Sequence, residues 1–133
     1  MSAHLTILIK KLDHLSHEEF HNYWSKSHPS TFLSVGIVRS NVKKYVQFHI
    51  NQNVSASLAE AGLPVSEWDG GVEMWAEDLG DLMAVFQDEE YNRVVVPDEQ
   101  RFLKRSEAKM MVGWDEVKWE GLEAKNKLED KAR

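Results

Sequence analysis

The sequence contains no cysteine among its 133 residues. Disulfide bonds, thiolate nucleophiles and cysteine-ligated metal sites are therefore excluded. Long apolar runs are also missing. The apolar stretch at residues 5–9 is much shorter than the roughly 20 residues needed to span a bilayer, and it lacks the layout of a signal peptide. We therefore expect a protein that is not embedded in a membrane and that works in the cytoplasm.

Positive charge is also scarce. Asp and Glu outnumber Lys and Arg by 22 to 16, which gives a formal net charge of -6. Lys and Arg are scattered, without the basic, aromatic-interleaved patch that nucleic-acid-binding surfaces use. Phosphate loops, dinucleotide fingerprints and serine nucleophile elbows are absent as well. The composition therefore argues against nucleic acid as a partner and against these common enzyme sites.

The residues that are present fit one domain with a sizeable core, because 42% of them are hydrophobic. Five tryptophans are many for this length. They indicate either an aromatic-lined binding space or a tryptophan-rich core or dimer contact. Segments with the sequence patterns of strands and helices lie within residues 1–114, which we predict to be the domain. Residues 115–133 form a charged tail interrupted by Val117, Trp119 and Leu122.

Apolar alternation predicts four strands, at residues 4–10, 43–50, 71–76 and 108–114. A capping box formed by Ser16 and Glu19 predicts the start of a helix, and Pro29 predicts its end at His28. A second helix is predicted over residues 78–87.

The remaining segments are predicted to be mostly irregular: a long loop over 51–70 that includes one helical turn, and a loop through Pro97 before a short helix starting at Asp98. The order β-α-β-β-α-β is that of the ferredoxin-like α+β fold. Such a fold leaves one sheet face apolar and exposed, which predicts a homodimer formed sheet to sheet.

The first candidate functional residue is His28, which lies one helical turn after Trp24. At the predicted end of the helix, its ring would lie near the carbonyl end of the helix dipole, which favours the protonated form. Two interpretations stay open. His28 is either a general acid or base in an aromatic pocket, or a structural residue that caps the helix.

Further candidates lie on the second strand, where Tyr45, Gln47 and His49 share one face. They form either a hydrogen-bonding wall for substrate oxygens or the solvated face of an edge strand. Asp98 is either a carboxylate that orients a histidine or takes a proton, or simply the N-cap of a short helix.

A metal site is the weaker interpretation of the remaining histidines. His17 and His21 have the i, i+4 spacing of a metal-binding pair. His28 lies on the same side of the helix but about 16 Å from His17 along the axis, too far to share one ion. We therefore predict that no metal is bound and that His17 and His21 are solvated.

An ordered set of short motifs resembles the EthD-domain family of dimeric α+β barrel proteins. The matching pieces are Ser16-x-x-Glu19-Phe20, Tyr23-Trp24, His28-Pro29, Lys44-Tyr45-Val46-Gln47-x-His49, Asp69-Gly70, Glu73-x-Trp75 and Pro97-Asp98-Glu99-x-x-Phe102. They extend over roughly residues 3–114 and are most similar to the EthD-like proteins of fungal aromatic polyketide clusters. Asp88-Glu89-Glu90-Tyr91 departs from the family's usual Asp-Pro-x-Tyr, and the charged tail has no counterpart in the family core.

The resemblance implies a homodimer with a substrate cavity between sheet and helices, and acid–base chemistry without a cofactor. It implies a polar site of His28, His49 and Asp98. The residues of the strand face and of the matching motifs complete the prediction. The predicted substrate-binding residues are Tyr45, Trp24, Trp75, Gln47 and Phe102.

The leading functional hypothesis is a lyase of secondary metabolism that removes water from a β-hydroxy ketone of an aromatic polyketide. The same site could run cyclisation or decarboxylation, which the sequence does not separate. Two hypotheses of other classes are a non-catalytic carrier of a reactive aromatic intermediate and a haem- or flavin-dependent oxygenase on a similar barrel.

Overall fold

The computed structural model describes residues 2–122, and its centre is one antiparallel sheet of four strands. The strands are β1 (Ala3–Ile9), β2 (Lys44–His49), β3 (Gly70–Ala76) and β4 (Lys109–Gly113). Their order across the sheet is β2-β3-β1-β4, and every neighbouring pair is antiparallel. This topology confirms the predicted ferredoxin-like α+β fold.

Six helices connect the strands. They are α1 (His17–Lys26), α2 (His28–Leu33), α3 (Gly36–Asn41), α4 (Gln52–Glu60), α5 (Leu79–Gln87) and α6 (Glu89–Glu99), and a short 3₁₀ turn, Arg105–Glu107, precedes β4. The predicted capping box begins α1: Ser16 Oγ accepts from the Glu19 N–H, while the Glu19 carboxylate accepts from the Ser16 N–H. Within residues 2–122, no helix is both long and apolar enough to cross a membrane.

The position of His28 corrects the first helix prediction. Helix α1 ends at Lys26, and His28 is the first residue of α2, with Pro29 in its first turn. Proline fits there because the first-turn N–H groups of a helix have no intrahelical partner. The prediction that His28 closes a helix, near its carbonyl end, is therefore wrong.

Helix α6 corrects a second prediction. Residues 89–99 form one continuous helix that includes Pro97, where a loop was expected. Asp98 lies in its last turn and is not an N-cap; the actual N-cap is Asp88. The long loop predicted over residues 51–70 also contains a helix of nine residues, α4.

The two faces of the sheet differ. Ala3, Leu5 and Ile9 of β1 and Met74 of β3 are buried against the helices. The opposite face, called the open face here, presents the alternate side chains of the strands, among them Thr6, Phe48 and Glu73, and was predicted to be apolar.

The open face is mixed in character. Phe48 and Met111 are more than half exposed there, but His4 lies 3.0 Å from Glu73 and 2.6 Å from Asp115. The prediction of an apolar face therefore holds only in part, because His4 and Thr6 of β1 and Glu73 of β3 add polar groups to it.

Candidate active site

A cavity of about 240 Å³ lies between the helix-facing side of the sheet and the helices. Most of its wall is aliphatic or aromatic, and its titratable groups are His28, Tyr45, Tyr91, Glu99, Lys104 and Arg105. Its position matches the sequence-based expectation of a site between sheet and helices. An apolar cavity with a few convergent polar groups is the usual form of a small-molecule site.

His28 borders this cavity and is paired with Asp98. The Nδ1 atom of His28 lies 2.7 Å from Oδ2 of Asp98, and both side chains are nearly buried. The pair forms because α2 and α6 pack against each other, which brings together residues 70 positions apart. The structure thus joins two of the three predicted polar site residues.

The contact with Asp98 determines which form of the imidazole meets the cavity. A carboxylate at Nδ1 accepts the Nδ1 proton, so the neutral ring has a lone pair on Nε2. Because Asp98 holds Nδ1 and the His28 side chain lines the cavity, Nε2 is the ring nitrogen left to accept a proton from a ligand.

The electrostatics of His28 favour a base. Burial lowers the pKa of His28 below its ordinary value of 6.5, although the hydrogen bond and the charge of Asp98 oppose this shift. Desolvation disfavours the charged imidazolium. The neutral ring, which can accept a proton on Nε2, is therefore the main form near neutral pH.

Tyr23 and Phe102 hold the pair from behind. The Tyr23 hydroxyl donates a hydrogen bond to Oδ1 of Asp98, so both carboxylate oxygens are used. The Phe102 ring is fully buried and meets the His28 ring edge-on at a centroid distance of 5.0 Å. Phe102 was predicted to bind substrate; it instead lies behind His28 and does not line the cavity.

Tyr45 and Trp24 line the cavity, as predicted, and Gln47 connects them. The Gln47 amide donates to the Trp24 carbonyl at 2.7 Å and to the Tyr45 hydroxyl at 2.9 Å. Because the Tyr45 oxygen accepts this bond, its own proton is available to a ligand. Burial raises the pKa of Tyr45, so it stays protonated. Gln47 itself is not a cavity residue.

The approach of Trp24 to the sheet requires the glycine at position 70. A Cβ atom at Gly70 would lie 2.6 Å from the Trp24 ring, closer than such atoms approach. The missing side chain at Gly70 leaves room for the Trp24 indole, which is buried and forms part of the cavity wall.

His49 is not brought to the cavity. It is exposed at the end of β2, where its Nδ1 lies 2.6 Å from Nδ1 of His21 and its Nε2 lies 2.9 Å from Oε1 of Gln47. Partial burial lowers the pKa of both histidines; the second cause is the charge of His17 for His21 and the charge of His21 for His49. The family resemblance grouped His49 with His28, and alternation places its side chain on the helix-facing side, but its position at the end of β2 carries it beyond the cavity.

Trp75 also lies elsewhere. It stacks on His4 at a centroid distance of 4.2 Å, and its indole donates to Asp115 at 2.7 Å. Since Met74 faces the helices, its neighbour Trp75 faces the open side of the sheet. The predicted role of Trp75 in lining the substrate cavity therefore has no support in this geometry.

Glu99 and Arg105 are cavity residues to which no functional role was assigned from the sequence. Glu99 directly follows Asp98, and its Oε1 lies 3.1 Å from the Arg105 Nε. Burial raises the pKa of Glu99 although Arg105 opposes the shift. The sequence signal for Glu99 was the adjacent acidic pair before Phe102. Consecutive residues of a helix point about 100° apart, so the two carboxyl groups can lie in different environments.

The described histidines do not assemble a metal centre. Within residues 2–122, no group of three or more His, Asp or Glu side chains is arranged to hold a metal ion. His17 lies 3.5 Å from Asp69, and His21 contacts His49.

A fungal protein is similar to this chain over most of its length. The chain is 24% identical over 118 residues to "Dehydratase iacD" of the fungus Pestalotiopsis fici, covering 84% of each chain. That name describes the fungal relative.

Solved structures share the fold. A family protein described as "ethyl tert-butyl ether d (ethd)" from Bacillus halodurans superposes with a TM-score of 0.59 at 15% identity, covering 87% of this chain and all of that one. A protein of Bacteroides fragilis, described as dimeric with a ferredoxin-like fold, gives 0.58 at 12% identity over 86% and 96% of the two chains.

The family model that matches the chain is described as the EthD domain, and it spans residues 12–106. This range contains His28, Asp98 and every other titratable residue of the cavity. The chain belongs to the EthD domain family.

Proposed function

We propose that this protein is a lyase that removes water from a β-hydroxy ketone of a compact aromatic polyketide in secondary-metabolite biosynthesis. The observation that supports this function best is the His28–Asp98 pair at the wall of an apolar cavity. The similarity to a fungal dehydratase agrees with it. The cavity, about 240 Å³, is smaller than the roughly 300–1,000 Å³ of typical ligand pockets, which favours a compact substrate.

The chemistry begins at the carbon next to the ketone. Nε2 of neutral His28 takes a proton from this carbon, and the Tyr45 hydroxyl donates a hydrogen bond to the carbonyl oxygen, which stabilises the developing enolate. Asp98 stabilises the imidazolium that forms and fixes its orientation. Loss of the β-hydroxyl then gives the enone, which tautomerises to an aromatic ring. These steps need only proton transfer, so we propose no cofactor and no metal.

The apolar walls have a second role. Trp24, Phe32 and Phe86 surround the cavity with aromatic surface, on which a flat, partly unsaturated substrate can stack. The same site could support cyclisation or decarboxylation equally well, because both reactions also pass through an enolate next to a carbonyl. Aromatisation by water loss remains the proposal because the named relative is a dehydratase.

The direct test is a product assay with β-hydroxytetralone, a bicyclic β-hydroxy ketone that becomes a naphthol when it loses water. Purified protein should produce naphthol, detected by its absorbance and by a mass lower by one water, faster than buffer alone. A ring-closed or decarboxylated product from open-chain polyketides, with no naphthol formed, would replace dehydration by one of the alternative reactions. Tight binding without any turnover would favour the carrier hypothesis instead.

We also propose that the protein is a homodimer formed through the open face. Phe48 and Met111 expose 56% and 58% of their surface there, and a neighbour of the same fold is described as dimeric. Light scattering at micromolar concentration should give about twice the 15.4 kDa of one chain. Phe48→Glu should shift the mass towards the monomer, since it places a charge within the apolar contact. A monomer mass for the unmodified protein would contradict this pairing.

A further inference from the structure

We infer that Glu99 is a second catalytic residue, the acid that protonates the departing hydroxyl while His28 acts as the base. This inference rests on the proposed dehydration. It concerns a carboxyl group that borders the same cavity as His28 and has no role in the steps described above.

The placement follows from the last turn of α6. Asp98 and Glu99 are consecutive, so their side chains leave the helix about 100° apart. Asp98 points behind His28, where it bonds to Nδ1. Glu99 borders the cavity itself, and its side chain is only 17% exposed. One helical turn thus positions the base through Asp98 and presents an acid through Glu99.

The surroundings of Glu99 suit proton donation. Arg105 lies 3.1 Å from its Oε1. The other titratable groups that affect the pKa of Glu99, or whose pKa it affects, are Tyr91, Tyr45 and Asp98. Burial raises the pKa of Glu99, so it holds a proton at a higher pH than an ordinary carboxyl. Once the proton is lost, Arg105 stabilises the carboxylate that remains.

The other titratable groups of the cavity are poorer acids. Burial raises the pKa of both Tyr45 and Tyr91 above the ordinary value for tyrosine. The Lys104 ammonium lies 2.6 Å from Asp13, which raises the pKa of Lys104. Glu99 is therefore the cavity group best suited to give a proton near neutral pH.

The proton balance of the proposed step is closed. His28 Nε2 takes the proton as the C–H bond next to the ketone breaks, and its electrons form the enolate. The enolate electrons then form the new C=C bond as the C–O bond breaks. The leaving oxygen takes the carboxyl proton of Glu99 and departs as water. The imidazolium returns its proton to the Glu99 carboxylate through solvent.

Two probes separate the two proton transfers. In deuterated water, α-tetralone can exchange its hydrogens next to the ketone but has no hydroxyl to lose, so it reports on His28 alone. Naphthol formation from β-hydroxytetralone requires both groups. We expect Glu99→Gln to leave α-tetralone exchange unchanged and to lower naphthol formation by about 10²-fold, as for loss of a positioned acid. Preserved exchange also shows that the variant is folded.

Glu89→Gln is the matched control, because Glu89 begins the same helix but is 83% exposed and pairs with Arg93. It should leave both reactions unchanged. If Glu99→Gln forms naphthol at the rate of the unmodified protein, Glu99 is not the acid, although the dehydration itself still stands. If the unmodified protein neither exchanges α-tetralone nor forms naphthol, the proposed function fails first.

The pH dependence of the unmodified protein gives a test that does not depend on any variant. Glu99 must be protonated to act, so enzymatic naphthol formation should fall as pH rises through the raised pKa of Glu99. Exchange of α-tetralone needs only neutral His28 and should stay level over the same range. An identical alkaline decline in both reactions, after subtraction of the enzyme-free rates, would overturn the assignment of Glu99.

Discussion

Replacing His28 with alanine is expected to lower the turnover of a β-hydroxy ketone by about 10²–10⁴-fold, the usual contribution of a positioned base. His28 borders the cavity, and its Nδ1 is held by Asp98 at 2.7 Å, which leaves Nε2 to accept the proton. Exchange of α-tetralone should fall by a similar factor, because the variant lacks the group that takes the proton. Steady-state kinetics and exchange followed by NMR measure the two effects.

Two other histidines supply matched controls. His17 lies on the exposed flank of α1, and His49 lies outside the cavity beside His21. His17→Ala and His49→Ala should each leave turnover nearly unchanged. The sequence grouped His49 with the catalytic residues, so a large loss in His49→Ala would return that role to it and contradict the geometry. Normal turnover in His28→Ala would remove the acid–base assignment and favour the carrier hypothesis, above all if Trp24→Ala abolished binding.

The role of Asp98 can be separated from that of His28 by a double substitution. Asp98→Asn removes the carboxylate that fixes the Nδ1 proton, so the variant ring presents the wrong tautomer in part of the molecules. If Asp98 acts only through His28, His28→Ala combined with Asp98→Asn should be no slower than His28→Ala alone. An additional loss in the double variant would mean that Asp98 itself takes a proton from the substrate.

The acid side of the pH profile follows from the same pair. Only neutral His28 accepts a proton, so the rate should fall as pH falls through its pKa. Burial lowers that pKa below 6.5, so the decline should lie on the acidic side of this value. Phe102→Leu is informative here, since a looser wall admits water and should move the decline towards the ordinary value.

Much of the fold could be predicted because its signals are local. The capping box at Ser16, the alternation in β1 and the apolar stripe of α5 each depend on neighbours within a few residues. The errors arose where tertiary packing overrides a local preference. Pro97 lies inside α6, where it removes one intrahelical hydrogen bond, a cost that the packing of α6 against α2 can offset. Pro29 lies in the first turn of α2, where it was expected to end α1.

The candidate site was predictable in part for the same reason. His28 and Asp98 could be named as titratable residues beside aromatic ones, but their contact spans 70 positions and depends on how α2 packs on α6. Trp75 was assigned to the cavity because the family resemblance implied a lining role at its position. Its side of the sheet depends on the strand register, in which it pairs with His4 and Lys44 away from the helices.

The second large expected effect is on stability: Phe102→Ala should lower the free energy of unfolding by about 3–5 kcal/mol, the usual cost of removing a buried phenylalanine ring. The Phe102 side chain is 0% exposed. Its ring packs at centroid distances of 5.2 Å from Tyr23 and 6.0 Å from Phe20. Because the neighbouring rings of Phe20 and Tyr23 are held on α1, most of the cavity left by the substitution should persist.

Urea unfolding at one fixed protein concentration measures this effect, since the stability of a dimer depends on concentration. Leu63→Ala, at a site that is 53% exposed, is the control and should change stability by no more than about 0.5 kcal/mol. Phe102→Leu should cost less than Phe102→Ala because it retains part of the packing. Since Phe102 also supports the His28 ring edge-on, we expect Phe102→Ala to lose turnover even at temperatures where it stays folded. A loss in stability below about 1 kcal/mol would show that the ring is not an essential part of this core.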